Sequence, residues 1–252
     1  MKIAIIGVGN MGSILARHLS QSHSVVLCDH NRERVSSLAK ELEAQVVLDP
    51  AKAVLGADLV ILAVKPKDLE SLAGTLLGSI ALSQRLISIL AGVEIKTLKE
   101  LFPDASIIRM MPNLAITTGQ GILGFSSKES LSEEKVEMDS LFAGLGLSLW
   151  IPETKMNAFA SLAASSPAFI FVLIEAMIEA GIYSGFSSKD SKEIVLQVLA
   201  GSVALLKGSD KTPEELKWQV TSPGGTTIKG IKELEGHSFR IAIWKAIEAA
   251  SK

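Results

Sequence analysis

At 252 residues, with 48% hydrophobic and 21% charged side chains, the chain has the composition of a globular protein and is too apolar for intrinsic disorder. Its net charge of −2, with lysine and arginine scattered along the chain, leaves no basic stripe for nucleic acid. The single cysteine, Cys28, excludes an intramolecular disulfide and any multi-cysteine metal site, and His18, His23, His30 and His237 lack metal-ligand spacing.

The first stretch, Lys2-Ile3-Ala4-Ile5-Ile6, is a short apolar run that leads into Gly7-Val8-Gly9-Asn10-Met11-Gly12 and then into apolar residues at helical spacing. Strand, G-x-G-x-x-G turn and helix in that order form the phosphate-cradling start of a dinucleotide-binding unit. Gly7 permits the tight turn, Gly9 admits a pyrophosphate to the backbone, and Gly12 lets helix and strand approach closely. The helix N-terminus offers unpaired N–H groups and a positive dipole end to the phosphates.

A second strand, 24–28, ends in Cys28, read as a buried and inert thiol. Asp29 follows where a carboxylate would accept from the ribose 2′-hydroxyl of NAD, whereas Asn31, Arg32 and Arg34 offer donors and positive charge suited to the 2′-phosphate of NADP. The basic residues favour NADP(H), with NAD(H) as the alternative; on the plainer reading Arg32 and Arg34 only decorate the next helix.

Further along, strands are predicted over 44–48, 58–64, 86–90, 106–112, 121–125 and 147–151. Helices begin at Pro50, run over 67–77 and 95–101, and begin again at Ser132. Together these make an α/β domain of about eight strands, a Rossmann-type unit over 1–151. Lys65-Pro66 and Asn113 fall just past strand C-terminal ends, where open α/β sheets bind ligands. The Asn113 amide is placed to donate to cofactor or substrate, or else to serve as a turn residue after proline.

After Pro152 the alternation stops, and residues 152–252 are predicted to be an all-α dimerisation domain. Helices are expected over 167–183 and 187–207, from Pro213 to near Val220, and after Thr227. The first is apolar on nearly every side and so needs burial on all sides, which a second subunit would supply. The longest uncharged stretch, 158–174, falls short of the roughly 20 apolar residues a spanning helix needs. The chain opens on its first strand, so no leader is predicted; the expectation is a soluble cytoplasmic protein with no membrane partner.

Within the helical part lies Val220-Thr221-Ser222-Pro223-Gly224-Gly225-Thr226-Thr227. Pro223 stiffens a turn, and Gly224 and Gly225 are expected to leave successive N–H groups unscreened at a helix start, a nest suited to a carboxylate. The hydroxyls of Ser222, Thr226 and Thr227 add directional donors. The alternative is a plain loop with a capping threonine.

Over its whole length the chain resembles the pyrroline-5-carboxylate reductase family. The resemblance runs through Gly7–Gly12, Ala63-Val64-Lys65-Pro66, Met111-Pro112-Asn113, Val220–Thr227, Leu234-Glu235 and Phe239-Arg240. It implies a Rossmann domain followed by a helical dimerisation domain, with assembly as a homodimer or homodecamer. It also implies NADPH-dependent reduction of 1-pyrroline-5-carboxylate to L-proline. By position, Gly7, Val8, Gly9, Asn10, Met11, Gly12, Asn31, Arg32, Ala63, Val64, Lys65, Pro66, Ala91 and Gly92 would hold the cofactor. Ser222, Gly224, Gly225, Thr226 and Thr227 would hold the substrate, with Thr227 and Ser222 as the catalytic hydroxyls. The chain has Ala163-Ala164-Ser165-Ser166 where the family usually has Ser-Gly-Ser-Gly.

Other functions remain open at this point. They are reduction of another cyclic imine, a hydroxyacid dehydrogenase, against which Lys155 and Asn157, two apart, point to different faces of a helix rather than lying one turn apart, and a catalytically silent NADP-binding regulator.

Overall fold

The computed structural model describes residues 1–128 and 132–251, which divide into two compact units, Met1–Ala164 and Ser165–Lys252.

The first unit is built on one eight-stranded sheet of order β3-β2-β1-β4-β5-β6-β7-β8. Its strands are β1 (Lys2–Ile6), β2 (Ser24–Cys28), β3 (Gln45–Val46), β4 (Leu59–Leu62), β5 (Arg85–Ser88), β6 (Ser106–Pro112), β7 (Gly121–Ser127) and β8 (Gly146–Trp150). All neighbours pair parallel except β6 with β7. Parallel pairing requires crossovers, and these are α1 (Asn10–Leu19), α2 (Arg32–Leu42), α3 (Pro50–Ala53), α4 (Leu69–Leu76) and α5 (Ile95–Leu101), with α6 (Ser132–Leu141) between β7 and β8. The 3-2-1-4-5-6 part is the doubly wound order of dinucleotide-binding sheets.

Strand periodicity sorts the core into two layers. Ile3, Ile5, Val25, Leu27, Ile61 and Ile108 face α1, α2 and α6 in one cluster. Ala4, Ile6, Val26, Val60, Leu62 and Ile107 face α3, α4 and α5 in the other. Both faces are covered, so the strands are apolar throughout rather than alternating. Two predicted elements change shape. The 44–48 strand shortens to two residues at the sheet edge, and the 67–77 helix opens with a 3₁₀ turn, Pro66–Asp68, before α4. After Pro152 the chain enters a short helix, α7 (Met156–Phe159), and a π-helical turn, Ala160–Ser165. Phe159 lies over Gly124 of β7, where a Cβ would collide with the ring.

The second unit is entirely helical: α8 (Ser166–Tyr183), α9 (Ser188–Lys207), α10 (Pro213–Gln219), α11 (Thr226–Gly236) and α12 (Phe239–Ala250). α8 and α9 cross closely at Gly181, where a Cβ would lie 2.7 Å from the Ser191 hydroxyl. Neither α8 nor α12 contains a buried residue. The sequence reading assigns no element to α12, whose Phe239, Ile241 and Ile243 alternate as in a strand. The continuous helical run Glu153–Tyr183 has 31 residues, and an 18-residue window within it has a mean hydropathy of 1.8, long and apolar enough to cross a bilayer by length and composition. The sequence reading measured only the uncharged stretch inside it.

Candidate active site

The glycine turn is shaped by steric demand. Gly7 sits at φ +99°, and a Cβ there would lie 2.6 Å from the Ala63 carbonyl oxygen. A Cβ on Gly12 would overlap the Gly7 carbonyl and come within 3.2 Å of the Ala63 Cβ. At Gly9 a Cβ would meet nothing within 4 Å, so this glycine faces open space rather than protein. Gly9 is also the N-cap of α1 and supplies no side-chain acceptor. The first-turn amides of α1 are therefore presented to whatever occupies that space, a fit for a pyrophosphate.

Beside the turn, at the C-terminal ends of β1 and β4, is a cleft of about 330 Å³. Gly7, Gly9, Ala63, Val64 and Lys65 line it together with Asp29, His30, Arg34, Asp68 and Ser71. The crevice lies at the carboxyl ends of the strands, where the strand order reverses, the ligand position of such sheets. A larger hollow of about 580 Å³ beside Met1, His23 and Val136 lies at the opposite, amino-terminal edge. It is on the wrong edge for a dinucleotide. Val8 and Asn10 line a neighbouring groove that also reaches Arg34.

Asp29 does not stand ready for a ribose hydroxyl. Its side chain is only 3% exposed and both oxygens are engaged. The Val8 and Asn31 N–H groups donate to it at 2.7 and 2.8 Å, and Arg34 Nη2 at 3.0 Å. Asp29 thus ties the end of β2 to the glycine turn, which corrects the expectation of a free ribose acceptor. The Asn31 carboxamide caps α2 by accepting from the Arg34 N–H. Arg34 lines the cleft, and Arg32 is exposed at the start of α2.

Burial alone would raise the Asp29 carboxyl; the Asn31 and Val8 amides and the Arg34 guanidinium together hold it below the ordinary aspartate value. A carboxyl lowered on folding stabilises the protein fully above its unfolded value of about 3.9 and loses that contribution as pH falls through the folded value. Asp29→Ala is therefore expected to lower Tm clearly at pH 7, with the gap from wild type narrowing at pH 3. Paired thermal melts at the two values check this. Cys28 is buried beside the same cleft, and burial pushes its thiol up to about 11, so it is protonated and unreactive at neutral pH.

Farther along the sheet, Ala91 and Gly92 lie in the turn between β5 and α5, with Gly92 at φ +74°. Asn113 follows β6. Its Nδ2 donates to the Ala163 carbonyl at 3.1 Å and its Oδ1 accepts from the Ile122 N–H at 3.2 Å, so it braces β7 and the π-helical turn. One amide hydrogen is thereby committed to the protein. Neither Ala91, Gly92 nor Asn113 lines the cleft beside the glycine turn.

In the second unit, Ser222-Pro223-Gly224-Gly225 forms a β-turn closed by Gly225 N–H to the Ser222 carbonyl at 3.2 Å, with Gly224 at φ +71°. Proline and then a positive-φ glycine is the type II arrangement. The Gly225 N–H is spent in this turn, which corrects the expectation that it is unscreened. The open donors are instead the first amides of α11, because the N-cap Gly225 carries no side-chain acceptor. Ser222, Thr226 and Thr227 are exposed around that helix start. A Cβ on Gly225 would meet the Ser222 hydroxyl, an exposed group that can rotate aside.

Sequence reasoning missed His30, Asp68 and Ser71 in the first unit's cleft. Their signal was positional, since they follow β2 and Lys65-Pro66 directly. It also missed Arg109 and Glu153, joined at 3.0 Å. A lone arginine inside Ser-Ile-Ile-Arg-Met-Met-Pro was the visible sign. Among the described residues no cluster of three or more His, Cys, Asp or Glu side chains could hold a metal ion.

Comparison with known proteins adds the following. Residues 153–252 match the family model described as pyrroline-5-carboxylate reductase dimerisation, and residues 2–92 match the one described as NADP oxidoreductase coenzyme F420-dependent. The chain is 35% identical to the pyrroline-5-carboxylate reductase of Aquifex aeolicus, over 100% of this chain and 96% of that one. With that of Synechocystis sp. the figures are 32% identity, 99% and 96%. Among solved structures, Plasmodium falciparum pyrroline carboxylate reductase with NADP bound superposes with a TM-score of 0.89 at 28% identity, covering 100% of this chain and 95% of that one. The Streptococcus pyogenes 1-pyrroline-5-carboxylate reductase gives 0.88 at 32%, covering 100% and 98%.

Proposed function

We propose that this chain, which belongs to the pyrroline-5-carboxylate reductase family, reduces 1-pyrroline-5-carboxylate to L-proline with NADPH. The structural observation that carries the reading is the start of α11, an uncapped helix N-terminus behind a rigid type II turn and ringed by three hydroxyls. A regulator that merely binds nucleotide has no evident need of a carboxylate nest.

Bound NADPH supplies the hydride. The chain's own groups hold and orient both reactants. The first-turn amides of α1 receive the pyrophosphate. Arg32 and Arg34 provide the charge and Asn31 a hydrogen-bond donor for a 2′-phosphate, and the inward-turned Asp29 leaves no carboxylate to favour NAD. The α11 amides and the Ser222 and Thr226 hydroxyls take the substrate carboxylate. Hydride adds to the C=N carbon, the π electrons move to nitrogen, and that nitrogen keeps the proton it carries as an iminium. That proton is the one Thr227 delivers beforehand: its hydroxyl donates to the lone pair of the neutral imine nitrogen and is reprotonated from water. Alignment within near-attack distance supplies much of the rate.

The π-helical turn that holds Ala163-Ala164-Ser165 carries the chain's departure from the family pattern, so substrate preference belongs to this same proposal. So do the homodimeric or higher assembly and the cytoplasmic location. The test is NADPH oxidation at 340 nm with 1-pyrroline-5-carboxylate, run beside NADH. Substrate-dependent oxidation faster with NADPH is expected, and nucleotide binding without turnover would sink the reading. Thr227→Ala is expected to lower kcat/KM by at least about tenfold with NADPH affinity intact, in the range of lost proton-transfer assistance. An unchanged kcat/KM would remove Thr227 from the chemistry.

A further inference from the structure

Arg109 is a cation in the interior of the sheet. Its side chain is 3% exposed in β6, between Ile108 and Met110. A buried guanidinium requires a carboxylate, and among the described residues Glu153 supplies it. Glu153 Oε1, just beyond β8, receives Arg109 Nη1 at 3.0 Å, while Nη2 is buried with no acceptor. The same oxygen accepts the Ile95 N–H at 2.6 Å. Ile95 is the first residue of α5, and the local N-cap, Glu94, makes no side-chain capping bond. Glu153 therefore caps α5 from 58 positions away in the chain.

What this clamp holds is the turn 90–94 at the carboxyl end of β5, which contains Ala91 and Gly92. The sheet order assigns that turn a part. With the ribose next to β2 and the pyrophosphate at β1, a dinucleotide continues past β4 towards β5, so its nicotinamide half reaches this turn. The segment after Glu153 is also tied back to the end of β6, through Asn113 and the Ala163 carbonyl. A pair made only to stabilise the interior would not leave Nη2 without an acceptor among the described residues while sharing its close carboxylate oxygen with the first amide of α5.

We propose that Arg109 and Glu153 are positioning residues, which fix the β5–α5 turn against β6 so that the nicotinamide ring meets the imine in register. The proposal rests on the reductase reading above. It separates two halves of the cofactor site: the glycine turn and Arg34 set affinity, and the Glu153 clamp sets the rate of hydride transfer.

The experiment compares wild type, Glu153→Ala, Glu153→Gln and Glu153→Asp. The readouts are NADPH Kd by fluorescence titration, kcat and KM with 1-pyrroline-5-carboxylate, and hydrogen exchange of the Ile95 amide. Glu153→Ala is expected to lower kcat by at least about tenfold, since a displacement near 1 Å can cost a hundredfold. Its NADPH Kd should stay within about threefold of wild type, because the pyrophosphate grip is untouched. Glu153→Gln keeps an oxygen for the Ile95 N–H and should recover most of kcat. If Glu153→Ala fails to fold, Glu153→Asp, one methylene short, carries the same split in milder form.

An unchanged kcat with a lowered Tm would overturn the proposal and leave a structural brace. Kd and kcat falling together would overturn it too, and so would an Ile95 amide equally protected in all variants. Wild-type turnover, measured first, decides the reaction itself, and the Ile95 exchange reads the clamp without any substrate.

Discussion

Gly12→Ala is expected to abolish measurable NADPH binding. The added methyl would overlap the Gly7 carbonyl and press on the Ala63 Cβ, and neither neighbour is free to yield. Gly7 N–H is bonded to the Cys28 carbonyl at 2.7 Å, and Ala63 N–H to the Ile6 carbonyl at 2.8 Å, so both belong to the sheet's own ladder. Relief must come from α1 moving off the sheet, which withdraws its N-terminal amides from the phosphate position. Overpacking of this kind costs about 1–3 kcal/mol in ordinary cores, and here the neighbours are backbone. The NADPH Kd should rise at least about a hundredfold, roughly 2.7 kcal/mol, alongside a lower Tm. Gly9→Ala separates the two effects. Its methyl meets no protein atom within 4 Å, so Tm should hold while NADPH affinity falls, because the methyl takes the space a pyrophosphate would fill. Wild-type affinity in Gly9→Ala would mean that the pyrophosphate does not sit there.

The glycine turn was legible because each requirement is local. A strand, a turn that only glycine can make and a helix with an open N-terminus follow one another within twenty residues. The strands of the first unit were legible for a related reason, since a sheet covered on both faces forces unbroken apolar runs such as Leu59–Leu62. What escaped depends on partners distant in sequence. Nothing near Asp29 says that its carboxylate turns in to Val8, 21 residues earlier. Nothing near Ile95 says that its cap is Glu153. At 222–227 the residue types announced a helix start, but which amide remains open was decided by the type II turn that consumes the Gly225 N–H. The order β6-β7-β8, with its single antiparallel pair, likewise has no local signal.

Phe171→Glu should dissociate the protein into monomers. In the single chain α8 exposes Ile170, Phe171 and Val172 at 48%, 61% and 65%, three successive residues that point around most of the helix. Trp244 of α12 is 76% exposed and Tyr183 at the end of α8 is 95% exposed. A monomer rarely leaves an apolar surface of this extent in water, and the match of residues 153–252 to a dimerisation family model supports homo-oligomerisation, so a second copy is the expected cover. In a two-fold contact the same residue enters from both sides, so one substitution buries two carboxylates. Sedimentation is expected to show wild type as a dimer or a multiple of it, and Phe171→Glu as a monomer at micromolar concentration, a shift in Kd of at least about a thousandfold. The bilayer alternative raised by the apolar run Glu153–Tyr183 makes a different prediction. Wild-type protein would float with neutral lipid vesicles, and Phe171→Glu would abolish flotation without changing the oligomer. Dimer dissociation with no flotation in either protein assigns the surface to the subunit contact, because a helix that had evolved to meet lipid would have no reason to lose its partner when one side chain becomes charged.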